Sequence, residues 1–308
     1  MPLAESLAIL SDIELKNYTT LKVGGPARYL IEIKTVDELK AALDWAHDNQ
    51  LPWFVIGKGS NLLINDQGFK GLVLVNRLMQ EQWQIEKEEA IVLAGAGENL
   101  AALAARSAKE GWAGLEFACG IPGSVGGGVA MNAGAHARSL SECLVEVIAY
   151  SREEGLKTYS LEQLDIAYRH SRFLDHPEVV VAARFRLKRD PAVKERLKEM
   201  TQYRLSTQPW KASTAGCFFR NPQNCVIEGK VCSAGYLIEK SELKGYNWKG
   251  AMVSQIHANF LVNQQGAQAQ AFLDLCQHVR EKVKDRFGVW LQGEVRFLKT
   301  PSGPLDYV

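Results

Sequence analysis

Glycine is concentrated in three short stretches, and these constrain the chain more than any other feature. They read "LKVGGPARYL" (21–30), "VIGKGSNLLI" (55–64) and "GIPGSVGGGVAMNAGAH" (120–136). Clustered glycines let the backbone approach a ligand closely, and consecutive amides form nests that hold phosphate oxygens. Any one of the three alone reads as a tight turn. None fits the GxGxxG fingerprint behind a strand or the P-loop GxxxxGK[ST]; "IGKGSN" only echoes the latter. A conventional Rossmann dehydrogenase is thereby disfavoured. Three such loops together, one fed by the strand candidate "WFVIG", ask for a larger phosphate-bearing cofactor. Strand and helix signals lie between Gly57 and Gly123, so separate loops can converge on one ligand.

At 308 residues the chain is long for one core and comfortable for two domains. A net charge of +1 argues against a general nucleic-acid binder. No apolar run is long enough to span a membrane, and the start, "MPLAESLAILSDIELKNYTT", has no basic n-region, so it does not read as a secretory signal. The six cysteines (Cys119, Cys143, Cys217, Cys225, Cys232, Cys276) show neither a CxxC pair nor zinc-finger spacing. They read as free thiols in a reducing cytoplasm, mostly packing residues.

The first half alternates strand and helix signals. After the strand "RYLIEI", Thr35 and Glu38 form a capping box for the helix "TVDELKAALDWAHDNQ", whose apolar stripe is Leu39, Leu43 and Trp45 or Ala46. "GLVLVN" and "AIVLAGAG" are further strands, and Asn99 caps "LAALAARSAKEGW". "VVVAARFRLKRDP" closes the first domain, and Asp190 with Pro191 starts the helix "AVKERLKEMTQYR", which places a boundary near residue 190. Beyond it come a helix candidate "EGKVCSAGYLIEK", a strand "ANFLVN" and a long helix, "AQAQAFLDLCQHVREKVKDRFG". In that helix Phe272, Leu275, Cys276, Val279, Val283 and Phe287 share a face, so Cys276 is core. A strand "VWLQGEVRFL" and a polar tail finish the chain.

"STAGCFFRNP" (213–222) admits two readings. Cys217 is either a small hydrophobe in a buried strand or a thiol presented to a substrate. Burial statistics favour the first for any cysteine taken alone.

"NYTTLKVGG", "GKGSNLLI" and "GIPGSVGGGVAMNAGA" closely resemble the flavin domain of the UDP-N-acetylenolpyruvoylglucosamine reductases, which make UDP-N-acetylmuramate for bacterial peptidoglycan. The resemblance continues in family order through "YRHSRF", "STAGCFFRNP", "AGYLIEKSELKG", "ANFLVN" and "GEVRF", covering most of residues 17–298. It implies an α+β chain. Residues 1–190 would form a two-part FAD-binding domain of the vanillyl-alcohol oxidase and p-cresol methylhydroxylase type, and 191–308 a smaller UDP-sugar domain. FAD would be held non-covalently, with NADPH as co-substrate and a small-molecule UDP-sugar as the reduced partner.

The resemblance also implies site residues. FAD contacts fall to Gly57, Lys58, Gly59, Ser60, Asn61, Gly120, Ile121, Pro122, Gly123, Ser124, Gly126, Gly127, Asn132, Ala133 and Gly134, with the diphosphate closest to Gly126 and Gly127. Arg169 in "YRHSRF" matches the arginine that polarises the substrate carboxylate, a task for a permanent, two-pronged cation. Tyr168 and Ser171 shape its turn. Glu294 in "GEVRF" matches the glutamate that works at the same intermediate, although an alternating strand alone would put it on a solvated face. Cys217 stands where most members carry the proton-donating serine; a thiol, of pKa about 8.5, is the stronger acid. Arg204, Arg220, Asn221 and Tyr236 are the implied UDP-sugar contacts, with Lys211 a weaker addition. His257 reads as structural. Competing readings are an oxygen-using oxidase of the same FAD fold and a flavin- or nucleotide-binding protein without turnover.

Overall fold

Two separate clusters of buried apolar side chains organise the chain. In this computed structural model, residues 7–223, 225–227, 229–264, 266–300, 303 and 305–308 are described. The start of the N-terminal stretch and Glu228, the first residue of one candidate helix, lie outside them.

One compact unit contains Leu30–Lys58 and Val73–Arg204. Its six-stranded antiparallel sheet runs in the order Gly155–Ser160, Leu144–Ser151, Val179–Arg189, Glu89–Gly95 and Glu81–Glu86, with Trp112–Ala113 also paired to the long strand Val179–Arg189. Helix α1 (Val36–Asp48) begins at the expected capping box: the Glu38 amide donates to Thr35 Oγ1 at 3.1 Å and the Thr35 amide donates to the Glu38 carboxylate at 3.2 Å. Its buried face is Leu39, Ala42, Leu43 and Ala46, which excludes Trp45. Helix α2 (Leu100–Lys109) starts where Asn99 Oδ1 accepts the Ala102 amide. Helix α3 (Val125–Ala130) carries the three consecutive glycines.

Helix α4 (Val193–Thr207) shows why the units do not part at residue 190. Val193 is fully buried and Met200 packs on the first cluster, so the helix clusters with the first unit as far as Arg204. The second unit then takes Leu205–Val308, together with Leu10–Tyr29 and Gly59–Leu72 from early in the sequence. A division into two consecutive stretches therefore misses both early segments.

In the second unit an antiparallel sheet runs in the order Ser213–Cys217, Phe260–Asn263, Ala251–Val253, Asn247–Trp248. Helix α5 spans Ala234–Lys240 and helix α6 spans Ala269–Phe287. The face of α6 is the one expected, with Cys276 fully buried, and Gly288 ends it in the left-handed region (φ 71°).

Two expectations need correction here. The candidate helix before residue 234 is instead a hairpin, Val226–Ile227 against Lys230–Val231, because Gly229 turns the chain with φ 75° and Ser233 then caps a short helix. The final strand is only Arg296–Leu298, and the "polar tail" is no tail: Leu305–Tyr307 pairs with it antiparallel, while Leu62–Ile64 pairs with it parallel. No helix among the described residues is long and apolar enough to cross a membrane.

Candidate active site

In the first unit the Gly57 turn meets the glycine-rich segment 120–136. A Cβ on Gly57 would collide with Ser124 Oγ, so the turn after Trp53–Ile56 lies directly on the loop that opens α3. The three glycines of α3 do different work. Gly128 faces Leu100 and Leu140, and Gly126 faces Ala96, where a Cβ would come within 2.8 Å of the alanine methyl. The Gly126 amide donates to the Ala96 carbonyl at 2.9 Å, so it is engaged and buried rather than offered to a diphosphate. The absent side chain at Gly126 thus also makes room for Ala96. Gly127 is the exposed one, and a Cβ there would meet only Ser124 Oγ, at 3.3 Å. Its amide donates to that same oxygen at 3.2 Å, which caps the helix.

Gly120 is bare for another reason: the Arg204 side chain crosses it, and a Cβ would collide with the guanidinium stem. Arg204, expected as a substrate contact, is 8% exposed and belongs to the glycine loop's surroundings. Ile121 packs on the first core, Gly123 is buried with its carbonyl taken by the Leu100 amide, and Pro122 and Lys58 are exposed.

The segment after α3 holds the turn that carries Arg169. Ala167 and His170 exchange backbone hydrogen bonds at 3.2 Å, leaving Tyr168 and Arg169 at the apex, and Arg169 takes a left-handed φ of 57°. A non-glycine residue there is held by its surroundings. Three bonds hold it: Asn132 Nδ2 to the Ala167 carbonyl (3.1 Å), Ser171 Oγ to the Ala130 carbonyl (2.8 Å), and Arg169 Nη2 to the Gly134 carbonyl (3.0 Å). Asn132, expected to touch the cofactor, spends its Oδ1 on the Ser141 amide as well. Ala133 gives its amide to Gly128 and accepts from Leu140. These residues are the scaffold of the Arg169 turn.

In the second unit, "STAGCFFRNP" opens with a strand whose last residue is Cys217. Ser213–Cys217 pairs with Phe260–Asn263, but the register slips between Thr214 and Cys217 at Gly216, which has φ 84° and open space where a Cβ would stand. Such a bulge re-aims the residue after it. Ala215, Phe218 and Phe219 are buried, Phe218 stacking on Phe272 of α6, while Cys217 is half-buried.

Asn259 fixes this segment from one side: its carboxamide accepts the Phe219 amide at 3.0 Å and donates to the Phe219 carbonyl at 2.8 Å. The Glu294 stretch fixes it from the other. The Glu294 amide donates to the Phe218 carbonyl, the Arg220 amide donates to the Gln292 carbonyl, and Phe219 bridges Gly293. Asn61 joins the same cluster, its Nδ2 donating to the Glu294 carbonyl at 3.2 Å and its carbonyl accepting the Arg296 amide. Gly59, at φ 65°, accepts the Thr20 amide, and Thr20 Oγ1 donates to the Thr214 carbonyl at 2.6 Å; Ser60, between Gly59 and Asn61, is half-buried. The segment that carries Cys217 is therefore hydrogen-bonded to the one that carries Glu294.

The expected UDP-sugar contacts are less uniform. The Arg220 guanidinium lies over the Tyr307 ring, 4.4 Å from its centroid. Asn221 Oδ1 accepts the Ala234 amide at the start of α5, and Tyr236 is exposed on that helix. His257, read as structural, accepts the Asn259 amide at its Nδ1, 3.2 Å away.

Three supporting residues escaped the sequence reading. Thr20 sits in the quoted "NYTTLKVGG", and Asn259 is a polar residue inside an apolar run, a signal that could have marked it. His136 carries no sequence signal; its imidazole is held below its usual value by burial and then by the Arg204 charge.

These residues fit FAD. The glycine loops give it a bare backbone surface at Gly127, and the protein packs every other glycine of α3. The family model described as "FAD binding domain" matches residues 27–153, and the one described as "UDP-N-acetylenolpyruvoylglucosamine reductase, C-terminal domain" matches residues 208–298. A UDP-N-acetylenolpyruvoylglucosamine reductase from Protochlamydia amoebophila (strain UWE25) is 39% identical over 92% of this chain and 92% of its own length. One from Bacillus pumilus (strain SAFR-032) is 40% identical over 94% of each. The crystal structure of the enzyme so named from Thermus caldophilus aligns with a TM-score of 0.76 at 34% identity, covering 94% of this chain and 98% of that one.

The fold and the FAD domain define a flavin-binding oxidoreductase. Within that class, the chain belongs to the UDP-N-acetylenolpyruvoylglucosamine reductase family.

Proposed function

We propose that the chain reduces UDP-N-acetylglucosamine enolpyruvate to UDP-N-acetylmuramate at the expense of NADPH, with Cys217 as proton donor. Held by the Gly57 turn and the loop 120–127, FAD would supply the redox chemistry that links NADPH oxidation to reduction at the vinyl CH2 carbon of the enolpyruvyl group. Reduction at that carbon leaves an enol-like centre beside the substrate carboxylate. Arg169, a permanent cation with a forked donor, holds the carboxylate and steadies its developing charge. Cys217 delivers the proton to the neighbouring carbon, completing the lactyl ether. Glu294 assists at the same centre, and Asn221 and Tyr236 contact the UDP-sugar. Arg204 and Asn132 act one step back, holding the glycine loop and the Arg169 turn.

What supports this reading is that the segments carrying Cys217 and Glu294 are hydrogen-bonded to each other, the Glu294 amide to the Phe218 carbonyl, with Cys217 half-buried beside that bond. The test is spectroscopic and anaerobic. The purified protein should show a flavin spectrum that NADPH bleaches and that adding the UDP-sugar enolpyruvate restores. A spectrum restored only by oxygen would instead indicate an oxidase, and an unbleached one would remove NADPH from the scheme.

A further inference from the structure

Cys225 and Cys232 take no part in that chemistry, yet the fold sets them face to face. They flank the hairpin of Val226–Ile227 and Lys230–Val231. The register Val226↔Val231 makes Cys225 and Cys232 the next opposed pair, and the Cys232 amide donates to the Cys225 carbonyl at 2.9 Å. Side chains alternate between faces along a strand. Val226 and Val231 are exposed, whereas Cys225, Ile227 and Cys232 lie against the second unit's core. The two thiols therefore share the inner face. Burial, followed by the charge and hydrogen bond of Cys232, raises the Cys225 thiol above its usual value. Opposed, hydrogen-bonded residues have Cα atoms about 5.5 Å apart, within the range of about 4.4–6.8 Å that a disulfide spans. Both are free thiols here.

We propose that Cys225 and Cys232 form a reversible dithiol–disulfide site that reacts with low-molecular-weight disulfides such as oxidised glutathione. The deprotonated Cys225 attacks one glutathione sulfur; a mixed disulfide forms and one glutathione thiolate leaves. Deprotonated Cys232 then attacks Cys225 Sγ, forming the internal bond and expelling the second thiolate. The protein loses two electrons and two protons, and one glutathione disulfide becomes two glutathione thiols. The bridge ties down the stretch between Asn221, which accepts the Ala234 amide, and Ser233, which caps α5 through the Tyr236 amide.

The full-length protein is incubated with oxidised glutathione, acid-quenched, alkylated and digested for mass spectrometry. The expected product is a Cys225–Cys232 peptide lighter by two hydrogens, with Cys217 alkylated. Glutathione persisting on Cys225, alkylation of both cysteines, or a bridge to any other cysteine overturns the proposal. Because short spacing alone favours ring closure, the exchange equilibrium is also compared in native and guanidinium-unfolded protein. Bridge formation should be favoured at least about tenfold in the native state, where the loop-closure cost is already met. Equal constants would show that the fold builds no such site.

Discussion

The backbone amide of Glu294 donates to the carbonyl of Phe218 at 2.8 Å, which places the glutamate one residue away from Cys217 across the pairing. Phe218 and Phe219 are buried beneath it, so this geometry rests on the core of the second unit. Replacing Cys217 by alanine removes the thiol without disturbing those backbone bonds. Cys217→Ala should slow reoxidation of pre-reduced enzyme by the UDP-sugar roughly 10²–10⁴-fold, the usual range for a positioned general acid. Cys217→Ser should retain appreciable activity, and flavin reduction by NADPH should be unchanged in both. Stopped-flow absorbance measures each half-reaction; wild-type reoxidation in the alanine variant would return Cys217 to packing.

The three glycines of α3 separate a folding role from a binding role. Gly127→Val meets only Ser124 Oγ, so the variant should fold but lose most of its flavin, because a branched side chain would cover the bare backbone surface. Gly126→Val collides with Ala96 and should lower stability by about 1–3 kcal/mol or more, as overpacked sites do. Flavin content of the purified proteins and urea unfolding together distinguish the two. A Gly127→Val protein with full, tightly held FAD would move the cofactor elsewhere.

The contrast also shows which features are legible in a sequence. Thr35 with Glu38, and Asn99, were readable because a cap is made within one turn of chain. Gly288 as a helix stop is equally local. That Gly126 faces Ala96 was not legible, because that neighbour is set by tertiary packing the glycine run does not encode. The hairpin at Gly229 was absorbed into a helix because its two short strands carry too few residues for a period. Arg204 looked like surface charge or a substrate contact, whereas its burial over Gly120 depends on where α4 lies in the first unit. The family motifs located the segments; the partners of each side chain came only with the fold.

Glu116 should govern part of the acid limb of stability. It is buried, accepts the Gly114 amide at 2.6 Å, and pairs with Arg138 at 2.9 Å and Arg196 at 3.4 Å. Burial alone would raise its carboxyl, but the Gly114 amide, its own amide and the two arginines outweigh that and hold it below the ordinary glutamate value. A depressed folded value means that the stabilisation is fully present above the unfolded value, about 4.3, and is lost as pH falls through the folded one. Glu116→Gln should therefore cost about 1–3 kcal/mol near neutrality, and its difference from wild type should shrink below about pH 4. Urea midpoints at several pH values test this; a pH-independent difference would mean the charge is not what matters.

Arg169 sits at a left-handed turn position that three hydrogen bonds hold in place, one of them from its own guanidinium to Gly134. Lysine keeps the positive charge but offers a single point donor, so it cannot serve Gly134 and a substrate carboxylate with the same fork. Arg169→Lys should therefore lower the rate of flavin reoxidation by the UDP-sugar by about 10²-fold or more, the scale of losing one oxyanion donor. Reduction of the flavin by NADPH should stay near wild type. Ser171→Ala offers a check on position against charge: it keeps the guanidinium but frees the turn from the Ala130 carbonyl, and it should slow the same half-reaction by a smaller factor. If Arg169→Lys instead slowed only the NADPH half-reaction, the guanidinium would belong to nicotinamide binding, and the carboxylate would need another partner.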